Sequence, residues 1–320
     1  MPLTETLSSM KENSLSRRKF IGVASLAAAA VAMPIDVFGN SNVKKQWNSK
    51  KKSGFTMWQN PSHRNTIGNS YVFLTNNGKV IVMDGGFKEE EPYLRGMIGA
   101  LGNEVEAWFL SHPHNDHMGA FNEILKDPQD LKIKNIYYSK VSDKVRLAEK
   151  DWAALCQEYY DNLDACKYAN VVDIREPGQV FDFDDMHLKI LSVANEITEN
   201  AYNNSSMIMR VWDKKKSIVF LGDAGVECGN KVLASKYKDD LDCEYMQMAH
   251  HGQNGCDKHF YDSVTFRACL WSTPIWVWNN DVGKGYNTHV YKTIETRNWV
   301  KEKGVTENHV TCVDGLYKLD

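Results

Sequence analysis

Leu110-Ser111-His112-Pro113-His114-Asn115-Asp116-His117-Met118-Gly119 is the stretch on which the reading of this chain turns. Three imidazoles and a carboxylate fall between positions 112 and 117, and cysteine is absent from the group. Neutral imidazole and carboxylate are the donors that borderline-hard divalent ions take. So dense a set on one turn suits two ions better than one. On an extended turn His112 and His114 point to one ion, while Asp116 and His117 swing toward a second. Ten histidines in 320 residues make such a cluster improbable by chance. The preceding Glu104–Leu110, with Val105, Ala107, Trp108, Phe109 and Leu110, reads as a buried strand. The turn then sits at a strand's C-terminal end, where open α/β sheets place their ligands.

His-x-His-x-Asp-His after a hydrophobic strand closely resembles the signature of the metallo-β-lactamase superfamily. The resemblance implies an α/β fold, a four-layer αββα sandwich, with a dinuclear metal site at one edge. It also implies further ligands at later strand ends. Ser217–Leu221 is a buried-strand run ending in Gly222-Asp223-Ala224-Gly225, and Asp223 matches the family's bridging carboxylate. A carboxylate can span two cations about 3.5–4 Å apart and offset their repulsion, which an imidazole cannot. Tyr245–Ala249 is another strand, running into His250-His251-Gly252. One of the pair matches the last histidine ligand. The strand leads directly into His250, so His250 is the expected ligand, with His251 behind it or facing substrate. Asp84, at the end of Val80-Ile81-Val82-Met83, matches the acid that supports the metal turn from behind.

One family ligand is missing. No histidine lies between His187 and His250, where a third imidazole for the first ion is expected. Asn203-Asn204-Ser205-Ser206 stands there instead. Together with Phe-Leu-Gly-Asp-Ala and His-His-Gly, it resembles the hydrolase domain of the ComEC-type competence proteins and its stand-alone relatives. That likeness runs from about Ser70 to a final strand pair, Gly-Val-Thr and Val-Asp-Gly-Leu-Tyr. An oxygen of Asn203 or Ser206 as replacement is a harder donor, which sets Mn²⁺ beside Zn²⁺ as the expected pair of ions. His289 opens a helical stretch, 289–303; the ComEC-type branch has a histidine near here, so the resemblance makes it the candidate for binding substrate or protonating a leaving group, beside a simple helix N-terminal histidine. Trp271, Trp276, Trp278 and Tyr286 form an aromatic group able to stack on an organic moiety, or the core face of a strand.

The N-terminus reads as a targeting segment and stays out of fold reasoning. Ser16-Arg17-Arg18-Lys19-Phe20-Ile21-Gly22 resembles the twin-arginine export signal. The apolar run Ile21–Ala32 that follows is too short to span a bilayer of about 30 Å, and no cysteine for a lipid anchor follows it. Residues 1–32 are thus the expected signal, 33–54 a linker and 55–320 the hydrolase domain. The destination is the periplasm or beyond, with no stable membrane anchor. Removing 1–32 leaves 34 basic against 39 acidic residues, a net charge of −5. That argues against long nucleic acid, whose affinity rests on many Lys/Arg–phosphate contacts. Seven scattered cysteines without Cys-x-x-Cys read as small buried hydrophobes.

Ser70–Leu74 and Lys79–Asp84 flank Asn76-Asn77-Gly78 as a hairpin. Helices are expected over Glu89–Leu101 and Met118–Leu125, with Ile133–Tyr138 a strand between helical stretches. Ser142–Ala169 carries Trp152, Leu155, Tyr159 and Leu163 at helical spacing and reads as one long outer helix. The expected function is hydrolysis of a small or short phosphodiester by a hydroxide held between two ions, Asp116 ligating one and orienting the hydroxide. The rivals are hydrolysis of a carboxylic ester, lactone or β-lactam, and a catalytically weak protein that holds an anion in its metal cleft.

Overall fold

Runs in which every residue is apolar become strands covered on both faces. Val80–Asp84 is buried at every position, as is Ser217–Phe220, so these strands lack the alternation of a half-solvated sheet. The computed structural model describes residues 53–320. The expected signal, 1–32, and residues 33–52 of the expected linker lie outside the described residues.

In chain order the strands are β1 (Phe55–Gln59), β2 (Ser70–Thr75), β3 (Val80–Asp84), β4 (Glu104–Phe109), β5 (Lys132–Ile133), β6 (Asn135–Tyr138), β7 (Asn170–Asp173), β8 (Val180–Phe183), β9 (Met186–Ile190), β10 (Met209–Trp212), β11 (Ser217–Phe220), β12 (Tyr245–Gln247), β13 (Ala268–Trp271), β14 (Glu307–Val310) and β15 (Tyr317–Leu319). One sheet runs β15-β1-β2-β3-β4-β6-β7, with β5 also on β4; the other runs β14-β13-β12-β11-β10-β9-β8. Each begins as an antiparallel meander and turns parallel, at β3–β4 in the first sheet and β11–β12 in the second. Phe55, Phe73, Ile81 and Phe109 of one sheet meet Leu188, Met209, Ile218 and Phe220 of the other in a shared core. The outer faces are covered by helices: Val82 and Trp108 pack with Leu94, Phe121 and Ile124, and Val219 and Met246 with Cys228, Phe260 and Val300. The layers are therefore α, β, β, α, the expected sandwich.

The hairpin forms as read, Ser70 opposite Asp84, with Gly78 left-handed at its turn. Other expectations need correction. Ser142–Ala169 is two helices, Asp143–Ala148 and Lys150–Ala165, because Glu149 leaves helical geometry (φ −107°, ψ 74°). Ile133–Tyr138 is two short strands. The terminal strands do not pair with each other: β14 joins β13 in one sheet and β15 joins β1 in the other. The helix after the metal motif starts inside it, at Asn115 rather than Met118. The late helix is Thr293–Glu302, so His289 lies before it. All seven cysteines are free, five of them buried.

The motif helix, Asn115–Lys126, lies hard against the turn after β3. Gly85 N–H donates to the His117 carbonyl (2.6 Å) and Ala120 N–H to that of Gly86 (3.0 Å). A Cβ on Gly119 would stand 2.5 Å from the backbone nitrogen of Lys88. Gly119→Ala is therefore expected to cost about 1–3 kcal/mol through overpacking. Gly96, on the exposed side of Glu91–Ala100, has nothing within 4 Å of such a Cβ. Gly96→Ala is expected to gain up to about 1 kcal/mol from helix propensity. Denaturant midpoints moving in opposite directions would bear this out; equal shifts would not.

Candidate metal centre

The motif divides where its helix begins. His112 precedes the helix, and His114 is its N-cap on extended backbone; Asp116 and His117 occupy the first turn. That break sends the two pairs in different directions. In one, His112 Nε2 and His114 Nδ1 face each other at 3.1 Å. In the other, Asp116 and His117 converge with Asp223, from the turn after β11, and His251, from the turn after β12. One donor atom from each of these four buried residues lies within 4.8 Å of the rest.

The far nitrogen of each ring is occupied, which turns the near one toward the cluster. His117 Nδ1 donates to Asp84 Oδ2 (2.7 Å), and His251 Nδ1 to the Ser272 carbonyl (2.9 Å). His114 Nε2 meets Glu149 Oε2 at 3.2 Å, and His112 Nδ1 lies 3.1 Å from Ser111 Oγ and 3.4 Å from Ser206 Oγ. Metal-binding imidazoles are typically held from behind in this way. The near nitrogens of His112 and His114 face each other across 3.1 Å, where one cation would take both as donors. His117 Nε2 stands 3.1 Å from Asp223 Oδ1, yet both buried atoms lack a hydrogen bond. His251 Nε2 is 3.0 Å from Asp116 Oδ2 and 3.3 Å from Asp223 Oδ2, and His112 Nε2 is 3.8 Å from the latter. Asp223 faces both pairs. Unsatisfied nitrogen and oxygen atoms converging in a water-poor cluster fit divalent ions.

Asp84 does more than end a strand. Its carboxylate accepts from His117, from Ser111 N–H (2.7 Å) and Oγ (2.8 Å), and from Asn69 Nδ2 (2.9 Å), on a left-handed backbone (φ 56°). Of the remaining expected residues, His250 places Nε2 3.8 Å from Asp223 Oδ2, but His251 holds the place in the four-residue cluster that was expected of His250. Ser206 serves as a support, its Oγ accepting from Asp223 N–H (3.0 Å). Asn203 is buried, donates through Nδ2 to Asn200 Oδ1 (2.8 Å) and leaves its own Oδ1 without a partner. The structure does not bring His289 into the cluster; its ring packs edge-on against Tyr291 at 4.3 Å. The aromatic group is divided as well. Trp271 is buried against Trp278, Trp276 donates to the Asn65 carbonyl, and Tyr286 is exposed.

Sequence reading missed Glu149, Ser111, Asn69 and Ser272. Glu149 sits at the break between two outer helices, where Oε1 also accepts from Tyr202 N–H (2.9 Å). No motif spacing marks it, because a lone glutamate in an amphipathic stretch looks like a solvated face. Asp84→Asn and Glu149→Gln are each expected to weaken metal binding about 10–100-fold. The first should act on the Asp116–His117 position and the second on the His112–His114 position. Stepwise metal titration reads both; loss of the wrong step would contradict the assignment.

Burial works to raise the Asp223 and Asp116 carboxyls, but the surrounding rings outweigh it and lower both, Asp223 well below the ordinary range. Burial, with His117 alongside, pushes the His112 ring well down. Burial also works to lower His117 and His251, yet Asp223 and the neighbouring carboxylates carry His117 well up and His251 up to about 9. Without a cation, protons on those two rings balance the carboxylates, and a metal must displace them. Metal affinity is thus expected to rise with pH toward about 9. The metal-free fold has the opposite sign: the raised His251 value contributes stability below its ordinary 6.5, lost as pH rises through about 9. Calorimetry should show a larger Mn²⁺-induced rise in Tm near pH 9 than near pH 6.5; a smaller one would contradict it.

A family model described as the metallo-beta-lactamase superfamily matches residues 63–255. Among solved structures, the metallo-beta-lactamase fold protein YhfI from Bacillus subtilis superposes with a TM-score of 0.51 at 12% identity, covering 83% of this chain and 99% of its own. A CmlA beta-hydroxylase E377D mutant gives 0.50 at 11% identity, over 84% of this chain and 54% of that one. A diphosphatase of the PhnP family gives 0.42 at 9% identity, over 72% and 92%. No curated protein sequence matches.

Proposed function

Because the chain belongs to the metallo-β-lactamase superfamily, whose model it matches over residues 63–255, we propose that it is an exported hydrolase of small or short phosphodiesters. The observation that carries this reading is Asp223, whose carboxylate lies 3.8 Å from His112, 3.1 Å from His117 and 3.3 Å from His251. Two divalent ions held there, Zn²⁺ or Mn²⁺, supply a water that ionises near neutral pH and positive charge for the phosphoryl oxygens.

The chain's own residues do the rest. Asp223 presents one oxygen to His117 and the other to His251 and His112, so it joins the two positions. Asp116 Oδ2, beside His251, is placed to orient the attacking water. The side chains of His112, His117 and His251 are fully buried, whereas His114 is 12% and His250 20% exposed. Substrate therefore enters over the His114–His250 edge. A phosphodiester brings two non-bridging oxygens, one for each position, where a planar acyl group brings one. The acidic balance outside residues 1–32 favours a small substrate over a polymer. The Asn203–Ser206, Gly222-Asp223 and His250-His251 segments are what resembles the ComEC-type branch, and they support the same substrate class. Export rests on Ser16–Gly22 and the apolar run to Ala32.

The test is turnover of bis(p-nitrophenyl) phosphate beside a cephalosporin and a simple lactone, by metal-reconstituted protein. The phosphodiester is expected to be cleaved fastest, and Asp223→Ala to abolish turnover with the far-UV spectrum unchanged. Faster cleavage of either acyl substrate would overturn the phosphodiester reading. Activity in the exported fraction, lost when Arg17 and Arg18 are both changed to Lys, checks export; unchanged export would sink it.

A further inference from the structure

The two metal positions are unequally provided. Asp116, His117, His251 and Asp223 give one position four donors. The other has His112, His114 and the shared Asp223, one short of the four that a zinc site takes. His250 places Nε2 3.8 Å from the shared Asp223 Oδ2, and its ring is near enough to His112 and His114 to couple to both electrostatically.

Neighbouring side chains on an extended strand point to opposite faces, so His250 and His251 would ordinarily diverge. Here β12 ends and three successive residues turn left-handed: His250 (φ 52°), His251 (φ 55°) and Gly252 (φ 79°). Two of them carry a Cβ, for which that region is sterically disfavoured. The turn is tied to the bridging loop itself, His250 N–H donating to the Gly222 carbonyl (3.1 Å). Its result is that both rings face one oxygen, Asp223 Oδ2, at 3.8 Å for His250 Nε2 and 3.3 Å for His251 Nε2. His112 Nε2 lies from that oxygen as far as His250 does, 3.8 Å. His250 Nδ1 is buried without a hydrogen bond, so no side-chain partner holds the ring from behind. Of the two alternative donors, Ser206 already supports His112 and Asp223 from behind, and Asn203, tied to Asn200 through Nδ2, keeps a buried, unpartnered Oδ1.

Resting on the two-ion reading above, we propose that His250 is the fourth protein ligand of the ion held by His112 and His114. Two adjacent histidines on one strained turn then serve two ions, His251 one and His250 the other, with Asp223 between them. The donor set at the first position becomes three imidazoles and a carboxylate. That composition favours Zn²⁺ over Mn²⁺ there, since imidazole suits zinc and an oxygen-rich shell suits manganese.

Zn²⁺ titration of the metal-free full chain tests this, read by calorimetry and by the visible spectrum of the Co²⁺-substituted protein. Wild type is expected to bind two ions. His250→Ala and His250→Gln should keep one at wild-type affinity and weaken the other at least tenfold, with a changed Co²⁺ spectrum; the retained ion shows that the fold survives. Asn203→Ala should leave both ions in place. In wild-type Co²⁺ protein, proton NMR should show shifted imidazole N–H signals from His112, His114, His117, His250 and His251, a result that depends on no variant. The proposal is overturned if both His250 variants bind two ions with unchanged affinity, if Asn203→Ala removes one instead, or if the His250 signal is unshifted. Fewer than two ions in wild type would overturn the two-ion reading and this proposal with it.

Discussion

An imidazole held by a partner at one ring nitrogen turns the other toward whatever lies in front of it, as a lone pair once that nitrogen has lost its proton. In this protein that rule is applied four times around one carboxylate. His112, His114, His117 and His251 are each held from behind, by Ser111 and Ser206, Glu149, Asp84 and the Ser272 carbonyl. Asp223 stands in the middle. Buried and unneutralised, such an arrangement is costly, and the metal-free cluster manages it by holding protons on His117 and His251. A fold that keeps these groups together in a dry site is organised for cations.

The sandwich makes this geometry affordable. The supports come from different layers: Asp84 from the end of β3, Glu149 from a break between outer helices, Ser272 from beyond β13. The ligands follow β4, β11 and β12, the parallel strands whose C-terminal ends share an edge with them. Both sheets turn from antiparallel to parallel just there. Tight backbone packing, with Gly85 and Gly119 leaving no room for a Cβ, fixes the motif helix against the turn that carries Asp84.

Much of this was legible beforehand, for identifiable reasons. The strands around the site are continuous apolar runs ended by Gly, Asp or His, so β3, β4, β11 and β12 could be placed, and with them Asp84, Asp223 and the His250-His251 pair. What escaped is what local pattern cannot encode. Glu149 meets His114 across 35 positions of sequence, and its neighbours read as uninterrupted helix. The choice between His250 and His251 hung on a left-handed turn that no propensity foretells for two consecutive histidines. A strand leading directly into the pair favours its first member, whereas the turn carries the second into the cluster. His289 was named from the likeness to the ComEC-type branch; in space it and Trp276 both lie against Tyr291, while Trp271 pairs with Trp278.

The central claim is that Asp223 joins two cation positions built from opposite ends of one motif. Anomalous diffraction from crystals grown with Zn²⁺ tests it most directly. The expected result is two peaks about 3.5–4 Å apart, one beside His112 and His114, the other beside Asp116, His117 and His251, with Asp223 between them. A single peak, or a pair of which neither adjoins Asp223, would contradict it.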